Sequence, residues 1–116
     1  MVIKAIEAAC ELKNKNILAR VINLHTPKPI DKAVIQKAAK ETGAILTVEE
    51  HTIYGGMGSA IAEVVVEDCP VPMKMLGIPD VFGLSGSPDE LYEHFGLTEW
   101  NIAREAEELL KRKRNT

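Results

Sequence analysis

The sequence has few cysteines, few aromatic residues and no long apolar run. Its two cysteines, Cys10 and Cys69, form no Cys-x-x-Cys pair, so their spacing favours neither a disulfide framework nor a zinc site. No stretch reaches the roughly 18 apolar residues that a membrane-spanning helix needs, and the first residues lack the pattern of a secretion signal. We therefore expect a cytoplasmic chain with reduced thiols and no membrane partner.

The sequence also lacks the charge pattern of a nucleic-acid-binding protein and the common signatures of stand-alone enzymes. Its formal charge is -3 at pH 7, and its one basic cluster, residues 111–114, closes a predicted helix, where the helix dipole favours cations. It contains no Gly-x-Ser-x-Gly elbow, no His-Glu-x-x-His helix and no Gly-x-x-x-x-Gly-Lys loop. These absences predict no nucleic-acid partner, no metal site and no complete catalytic site in this chain.

Hydrophobic periodicity and capping residues divide the 116 residues into alternating helices and strands. Helices are predicted over Val2–Lys13, from the N-cap Asp31 to Thr42, from Ser59 to the residues before Pro70, over Ser87–Phe95 and after the N-cap Thr98; strands are predicted over Ile17–Leu24, Ala44–Glu49 and Met73–Ile78. This order implies right-handed crossovers and one α/β domain over residues 1–116. A mostly parallel sheet is expected between two helical layers, which is a three-layer α/β/α fold.

Apolar spacing also indicates which residues are buried. The residues expected in the core are Val2, Ile3, Ile6, Ala9 and Cys10 in the first helix, Val34, Ile35, Ala38 and Ala39 in the second, Ile61, Ala62, Val65 and Val66 in the third, and Trp100, Ile102, Ala103, Ala106, Leu109 and Leu110 in the last. The strand Ile17–Leu24 is rich in branched apolar residues and is expected to be largely buried.

The predicted element order opens inside a helix, whereas a doubly wound domain usually opens with a strand. Only three strands follow, which make a thin sheet. We therefore expect that a first strand, before Met1, is missing from this sheet and is either supplied by another chain or removed by truncation. Unpaired ladder groups kept from water cost on the order of 1 kcal/mol or more each, so we expect a poor monomer and a homo-oligomer.

The end of the second predicted strand carries the densest cluster of titratable residues, Glu49, Glu50 and His51. The carboxyl ends of strands are where α/β proteins place their sites, so these residues are candidates for acid–base catalysis. The alternative is a polar rim at a strand end or domain interface.

A glycine-rich segment follows this cluster. Gly56-Met57-Gly58-Ser59 resembles the start of a dinucleotide fingerprint, in which free amides at a helix N-terminus hold phosphate. However, Ile61 stands at the position of the third glycine, and Glu49 and Glu50 would repel a phosphate. The alternative is that the glycines let a loop fold tightly under the helix. The candidate interface or anion-binding loop is therefore Glu49, Glu50, His51, Gly55, Gly56, Gly58 and Ser59.

Four motifs, taken in order, resemble the C-terminal domain of transketolase over nearly the whole chain. They are Lys28-Pro29-Ile30-Asp31, Thr47-Val48-Glu49-Glu50-His51, Gly55-Gly56-Met57-Gly58-Ser59, and the run from Gly86-Ser87-Pro88-Asp89-Glu90-Leu91 to Phe95-Gly96-Leu97-Thr98. Deoxyxylulose-phosphate synthase and the β subunits of 2-oxo acid dehydrogenases have similar patterns. A histidine directly after the two glutamates looks more like transketolase than like those relatives.

The resemblance implies an enzyme of the pentose phosphate pathway that uses thiamine diphosphate to move a two-carbon ketol unit between sugar phosphates. In that family, thiamine diphosphate and magnesium bind an N-terminal domain through a Gly-Asp-Gly motif, and the activating glutamate lies on the middle domain. This chain has neither the motif nor room for those domains. The resemblance therefore implies a chain that binds no cofactor, is inactive alone, and acts in dimerisation and assembly with those domains. The alternatives are a regulatory module for a small anion or nucleotide, and a partner-docking domain of a dehydrogenase or synthase relative.

Overall fold

A computed structural model describes residues 2–23, 31–52, 57–78, 93–94 and 96–114. In chain order, its helices and strands are α1 Val2–Lys13, α2 Lys32–Thr42, β1 Ile45–Thr52, α3 Met57–Asp68, β2 Met73–Ile78 and α4 Glu99–Arg114. The bounds of α1 and β2 agree with the predicted bounds. Within the helix predicted over residues 87–95, residues 93–94 are helical, and the others lie outside the described residues.

Local hydrogen bonds fix the ends of α2 and α4, as the capping residues in the sequence predict. The Asp31 side chain accepts a hydrogen bond from the amide of Val34 at 3.2 Å, which satisfies a donor of the first turn. Gly43 has a left-handed φ of 75°, and its amide donates back to the last turn of α2. The hydroxyl of Thr98 accepts from the amide of Asn101 at 3.4 Å and caps α4. The predicted bounds of α2 and the predicted start of α4 are confirmed.

In the described part of the chain, β1 and β2 form a two-stranded parallel sheet. Ile45 pairs with Met73, and the register runs unbroken to Val48, which pairs with Leu76. Parallel strands need a crossover connection, and α3 lies within it. The predicted α/β class is confirmed. Among the described residues, no helix combines the length and apolar character needed to cross a bilayer.

Helices pack on both faces of this sheet around two apolar clusters. The first cluster consists of buried residues of α1, β2 and α4 with one residue just before α4: Ala8, Leu12, Leu76, Leu97, Ile102 and Ala103. The second consists of buried residues of α2 and α3: Ile35, Ile61, Val64 and Val65. Successive strand side chains point to opposite faces, so Ile45 packs against the second cluster and Leu46 against the first. The result is the predicted α/β/α arrangement, with α1 and α4 on one face and α2 and α3 on the other.

The strand predicted over Ile17–Leu24 is wrong for the residues that are described. Residues 17–23 belong to no helix and no strand, and Leu24 lies outside the described residues. Leu18 is 86% exposed, whereas a strand inside a sheet would be buried. Branched apolar residues favour extended structure, but a ladder also needs a neighbouring strand. In the described part of the chain, β1 and β2 pair only with each other.

The predicted buried face of α1 is also wrong. This helix buries Ala8 and Leu12, which are 1% and 3% exposed and pack in the cluster with α4. Ile3 and Ile6, by contrast, are 72% and 49% exposed. Apolar residues occur on more than one face of α1, so their spacing could not decide which face α4 covers. The structure also exposes Cys10, Val66 and Trp100, which were expected in the core.

The basic cluster at residues 111–114 forms hydrogen bonds from the end of α4 to the backbone of neighbouring elements. Lys113 Nζ donates to the carbonyl oxygen of Thr42 at 2.7 Å, at the C-terminus of α2. Arg112 Nη1 donates to the carbonyl oxygen of Met73 at 3.3 Å, at the start of β2. Cations are favourable beside unpaired carbonyl groups at a helix C-terminus. These contacts support the interpretation of the cluster as a helix end.

Candidate functional site

β1 is irregular where it carries the predicted titratable cluster. The register against β2 shifts between Val48 and Thr52, so that residues 49–51 lie opposite Gly77 alone. Extra residues of this kind form a bulge, which bends the strand locally. Bulges are frequent next to functional sites. The residues of this bulge are Glu49, Glu50 and His51.

The Glu49 side chain is buried under the N-terminus of α3. It is 8% exposed, and its Oε2 accepts a hydrogen bond from the amide of Gly58 at 3.3 Å. Gly58 is the second residue of α3, and the amides of a first helical turn have no partner within the helix. The carboxylate satisfies one of these donors. It also places negative charge at the positive end of the helix dipole.

Gly58 lets α3 approach the sheet closely. A Cβ at this position would lie 2.9 Å from Thr47 Oγ1 and 2.9 Å from the sulfur of Met75. Thr47 and Met75 are register partners on β1 and β2, so the first turn of α3 lies directly over both strands. A residue with a side chain fits there only if the Met75 and Thr47 side chains, or α3 itself, shift.

Two buried oxygen atoms beside this contact have no hydrogen-bond partner within the described part of the chain. They are Thr47 Oγ1 and Glu49 Oε1, in residues that are 4% and 8% exposed. An unpaired buried polar group costs about 1–3 kcal/mol, and more if the group is charged. Local costs of this kind are expected at functional positions more than at positions selected for stability.

The structure brings together only part of the predicted site. Glu49 and Gly58 are in direct contact, and Ser59, the next residue of α3, is half-buried. The backbone of Glu50 and His51 lies in the bulge of β1. Gly55 and Gly56 lie outside the described residues.

Thr47 and Met75 belong to the same contact, and sequence reasoning missed both. Thr47 precedes Glu49 by two positions, which puts the two side chains on one face of the strand, so strand periodicity could have indicated it. Met75 carries no local signal, because its position under Gly58 depends on the register between two strands.

The Glu49 carboxylate disfavours a phosphate at the N-terminus of α3. The amide of Gly58 is already bonded to Glu49, and the carboxylate would repel a second negative group. No group of three or more His, Cys, Asp or Glu side chains within the described ranges is placed to hold a metal ion. We therefore interpret Glu49 as a carboxylate that caps α3.

The chain matches a known protein family over most of its length. The family described as "Transketolase, C-terminal domain" matches residues 1–102. The chain belongs to this family. The match includes every element from α1 to the start of α4 and both partners of the Glu49–Gly58 contact. The resemblance indicated by the sequence motifs is confirmed.

Relatives of this transketolase C-terminal domain include a transketolase subunit and a synthase. The 6-deoxy-6-sulfo-D-fructose transketolase subunit of Clostridium sp. (strain MSTE9) is 46% identical over 113 residues, which are 97% of this chain and 35% of the relative. The 1-deoxy-D-xylulose-5-phosphate synthase of Heliobacterium modesticaldum is 47% identical over 104 residues, which are 89% of this chain and 16% of the relative.

A solved structure has the same fold as this transketolase C-terminal domain. It is a split-gene transketolase, an inactive β4 tetramer, with a TM-score of 0.90 and 42% identity, covering 97% of this chain and 37% of that chain. The predicted fold is therefore confirmed. The chain spans about a third of the length of the transketolase relatives that it matches.

Glu49→Ala is expected to lower the free energy of unfolding of this transketolase C-terminal domain by about 1–2 kcal/mol. The substitution removes the cap of α3 and leaves the Gly58 amide without its acceptor. Urea unfolding measures the loss, and hydrogen exchange of the Gly58 amide is expected to become faster. Glu63→Ala, at an exposed position of the same helix, is the matched control and is expected to change the free energy by less than about 0.5 kcal/mol. Similar losses in both variants would contradict the capping role.

Proposed function

We propose that this chain is the C-terminal domain of a transketolase and acts in assembly with the domains that bind thiamine diphosphate and magnesium. The complete enzyme would move a two-carbon ketol unit between sugar phosphates. The observation that carries this proposal is that the chain matches about a third of the length of relatives whose names describe transketolase subunits. The remaining two thirds of such a subunit leave room for a further domain.

The Glu49–Gly58 contact supports a role in which this chain supplies no catalytic residue to the enzyme. Thiamine diphosphate carries a negatively charged diphosphate, which does not fit at a helix N-terminus that Glu49 already occupies. We therefore assign the cofactor and its magnesium ion to the partner domains and derive no chemical step at this site. The same repulsion argues against the alternative of a regulatory module for anions or nucleotides.

We propose that the predicted site is an interface with another domain of the enzyme. The end of β1 combines a bulge, two buried oxygen atoms that have no partner among the described residues, and a helix that approaches the sheet over a glycine. Each feature restricts the sequence or costs stability, and an interface that requires this shape accounts for all three. The proposed interface residues are Glu49, Glu50, His51, Gly55, Gly56, Gly58 and Ser59.

We also propose a cytoplasmic homo-oligomer. Cys10 and Cys69 are both free thiols, which is the usual state of cysteines in a reducing compartment. The related split-gene transketolase is described as a tetramer of one type of chain. Exposed apolar residues of this chain, such as Ile3 and Leu18, support self-association.

Titration calorimetry tests the assembly role. This chain is expected to bind polypeptides that carry the N-terminal and middle domains of a split transketolase, in the presence of thiamine diphosphate and magnesium. Glu50→Lys reverses a charge in the proposed interface and is expected to weaken binding at least about tenfold. Glu63→Lys makes the same change on the exposed side of α3 and is expected to leave binding unchanged. A failure of the wild-type chain to bind, or equal weakening in both variants, would contradict the proposal.

A further inference from the structure

Two buried oxygen atoms lie on the face of β1 that the first turn of α3 covers. They are Thr47 Oγ1 and Glu49 Oε1, in residues that are 4% and 8% exposed, and neither has a hydrogen-bond partner within the described part of the chain. Gly58 is close to both residues. Its amide donates to Glu49 Oε2 at 3.3 Å, and a Cβ on it would lie 2.9 Å from Thr47 Oγ1. Both side chains therefore lie under the same helical turn.

The two oxygen atoms have complementary hydrogen-bonding needs. A threonine hydroxyl has one hydrogen to donate, whereas a carboxylate oxygen only accepts. No hydrogen bond joins Thr47 to Glu49, so among the described residues the hydroxyl lacks an acceptor and Oε1 lacks a donor. The great majority of buried polar side-chain atoms in folded proteins are bonded to protein or to ordered water. A group that satisfies both atoms must accept one hydrogen bond and donate another.

This requirement excludes most classes of ligand. The Glu49 carboxylate would repel an anion, and an apolar group would leave both oxygen atoms unsatisfied. No group of three or more His, Cys, Asp or Glu side chains in the described ranges is placed to hold a metal ion. A water molecule both donates and accepts, and buried waters typically bond to polar groups that lack a protein partner. Water is therefore the ligand whose size and chemistry fit.

We propose that one buried water molecule bridges Thr47 Oγ1 and Glu49 Oε1 beneath the first turn of α3. It accepts a hydrogen bond from the hydroxyl and donates one to the carboxylate. Glu49 then links helix and strand, because Oε2 accepts from the Gly58 amide and Oε1 accepts from the water. The inference concerns this domain by itself and does not rest on the proposed function. The water lowers the cost of burying the two oxygen atoms, but it requires a hydroxyl and a carboxylate at these positions.

The Met75 side chain provides the room that the water needs. Its sulfur lies near the same point as Thr47 Oγ1, since a Cβ on Gly58 would lie 2.9 Å from each atom. Met75 is half-buried, and methionine side chains are flexible, so the thioether can turn away from the hydroxyl. A water molecule can therefore enter beside Thr47 without movement of the strands.

A high-resolution crystal structure of this chain tests the bridge. We expect a water oxygen about 2.5–3.0 Å from both Thr47 Oγ1 and Glu49 Oε1. Thr47→Val keeps the shape of the side chain without its hydroxyl and is expected to lose the water, whereas Thr47→Ser is expected to keep it. Thr42→Val is the matched control and is expected to keep the water, because the Thr42 hydroxyl is bonded to the carbonyl oxygens of Ala38 and Ala44.

Three results would overturn the inference. The first is a wild-type structure in which no water bridges the two oxygen atoms. The second is a direct hydrogen bond between Thr47 and Glu49, or another protein group in the position of the water. The third is loss of the water from both valine variants or from neither. The wild-type structure decides the first two even if Thr47→Val does not fold.

Oxygen-17 relaxation dispersion of the solvent repeats the test in solution, because its amplitude reports long-lived buried waters. We expect the amplitude to fall by the contribution of one water molecule in Thr47→Val and to stay at the wild-type level in Thr42→Val and Thr47→Ser. Circular dichroism checks that each variant is folded. An amplitude that is the same in the wild type and in folded Thr47→Val would contradict the bridge.

Discussion

Leu97→Ala is expected to lower the free energy of unfolding by about 2–5 kcal/mol. Leu97 is 0% exposed and lies in the cluster that joins α1 and α4 to β2. Alanine removes buried methyl groups and leaves a cavity that tightly packed neighbours fill only in part. Because a domain is typically stable by only about 5–15 kcal/mol, this loss is a large fraction of the total. Urea denaturation followed by circular dichroism measures it.

Leu18→Ala is the matched control, because it makes the same chemical change at a leucine that is 86% exposed. Both variants are compared at a dilution at which the chain is monomeric, so that self-association does not contribute. Leu18→Ala is then expected to change the free energy of unfolding by less than about 0.5 kcal/mol. Equal losses would contradict both the core position of Leu97 and the surface position of Leu18.

Gly58→Val is expected to lower the free energy of unfolding by about 3 kcal/mol and to disturb the contact with Glu49. Its Cβ would lie 2.9 Å from Thr47 Oγ1 and from the sulfur of Met75, before the two added methyl groups are considered. The Met75 side chain can adjust, but Thr47 is short and β-branched, so α3 must move away from the strands. Such a movement would lengthen the hydrogen bond from the amide at position 58 to Glu49.

Thermal and urea unfolding of Gly58→Val and Gly58→Ala measure how much stability is lost when a side chain is placed between α3 and the strands. The alanine variant introduces the Cβ alone and is expected to lose about 1 kcal/mol, since adjustment of Met75 relieves part of the overlap. The valine variant is also expected to bind the thiamine-binding domains less tightly, because the proposed interface includes the first turn of α3. A valine variant as stable as the wild type would show that α3 does not approach the strands in this way.

Local sequence signals predicted the elements whose ends are fixed by local contacts. Asp31 and Gly43 bound α2 through hydrogen bonds that involve only neighbouring turns, so residue types at fixed offsets were sufficient. The same reasoning holds for Thr98 at the start of α4. The order of helices and strands then determined the parallel sheet and its two helical layers.

Contacts between distant parts of the chain account for the failures. The composition of residues 17–24 is typical of a strand, but pairing depends on which neighbouring strand is present, and this cannot be read from the segment itself. In α1, the larger residues Ile3 and Ile6 indicated the wrong face. The face that is buried carries Ala8 and Leu12, because α4 packs there. Trp100 was misassigned for a related reason, since it lies on the exposed side of α4.

The candidate site was only partly predictable. Glu49 could be singled out because a carboxylate at the end of an apolar strand is unusual, and Gly58 because it follows at the start of a helix. The hydrogen bond between them depends on how α3 docks on the sheet. The place of Met75 depends on the strand register. The interface roles of Glu50 and His51 stay predictions.

The most direct test of the assembly role is the rate of two-carbon ketol transfer by the thiamine-binding domains of a split transketolase, measured with and without this chain. We expect no transfer by this chain alone and an increase of at least about tenfold when it joins those domains, because assembly holds the catalytic groups in position. Formation of 1-deoxy-D-xylulose 5-phosphate in the same mixture tests the alternative enzyme, since a synthase of that name is 47% identical. A ketol transfer rate that does not change when this chain is added would contradict the proposed role in assembly.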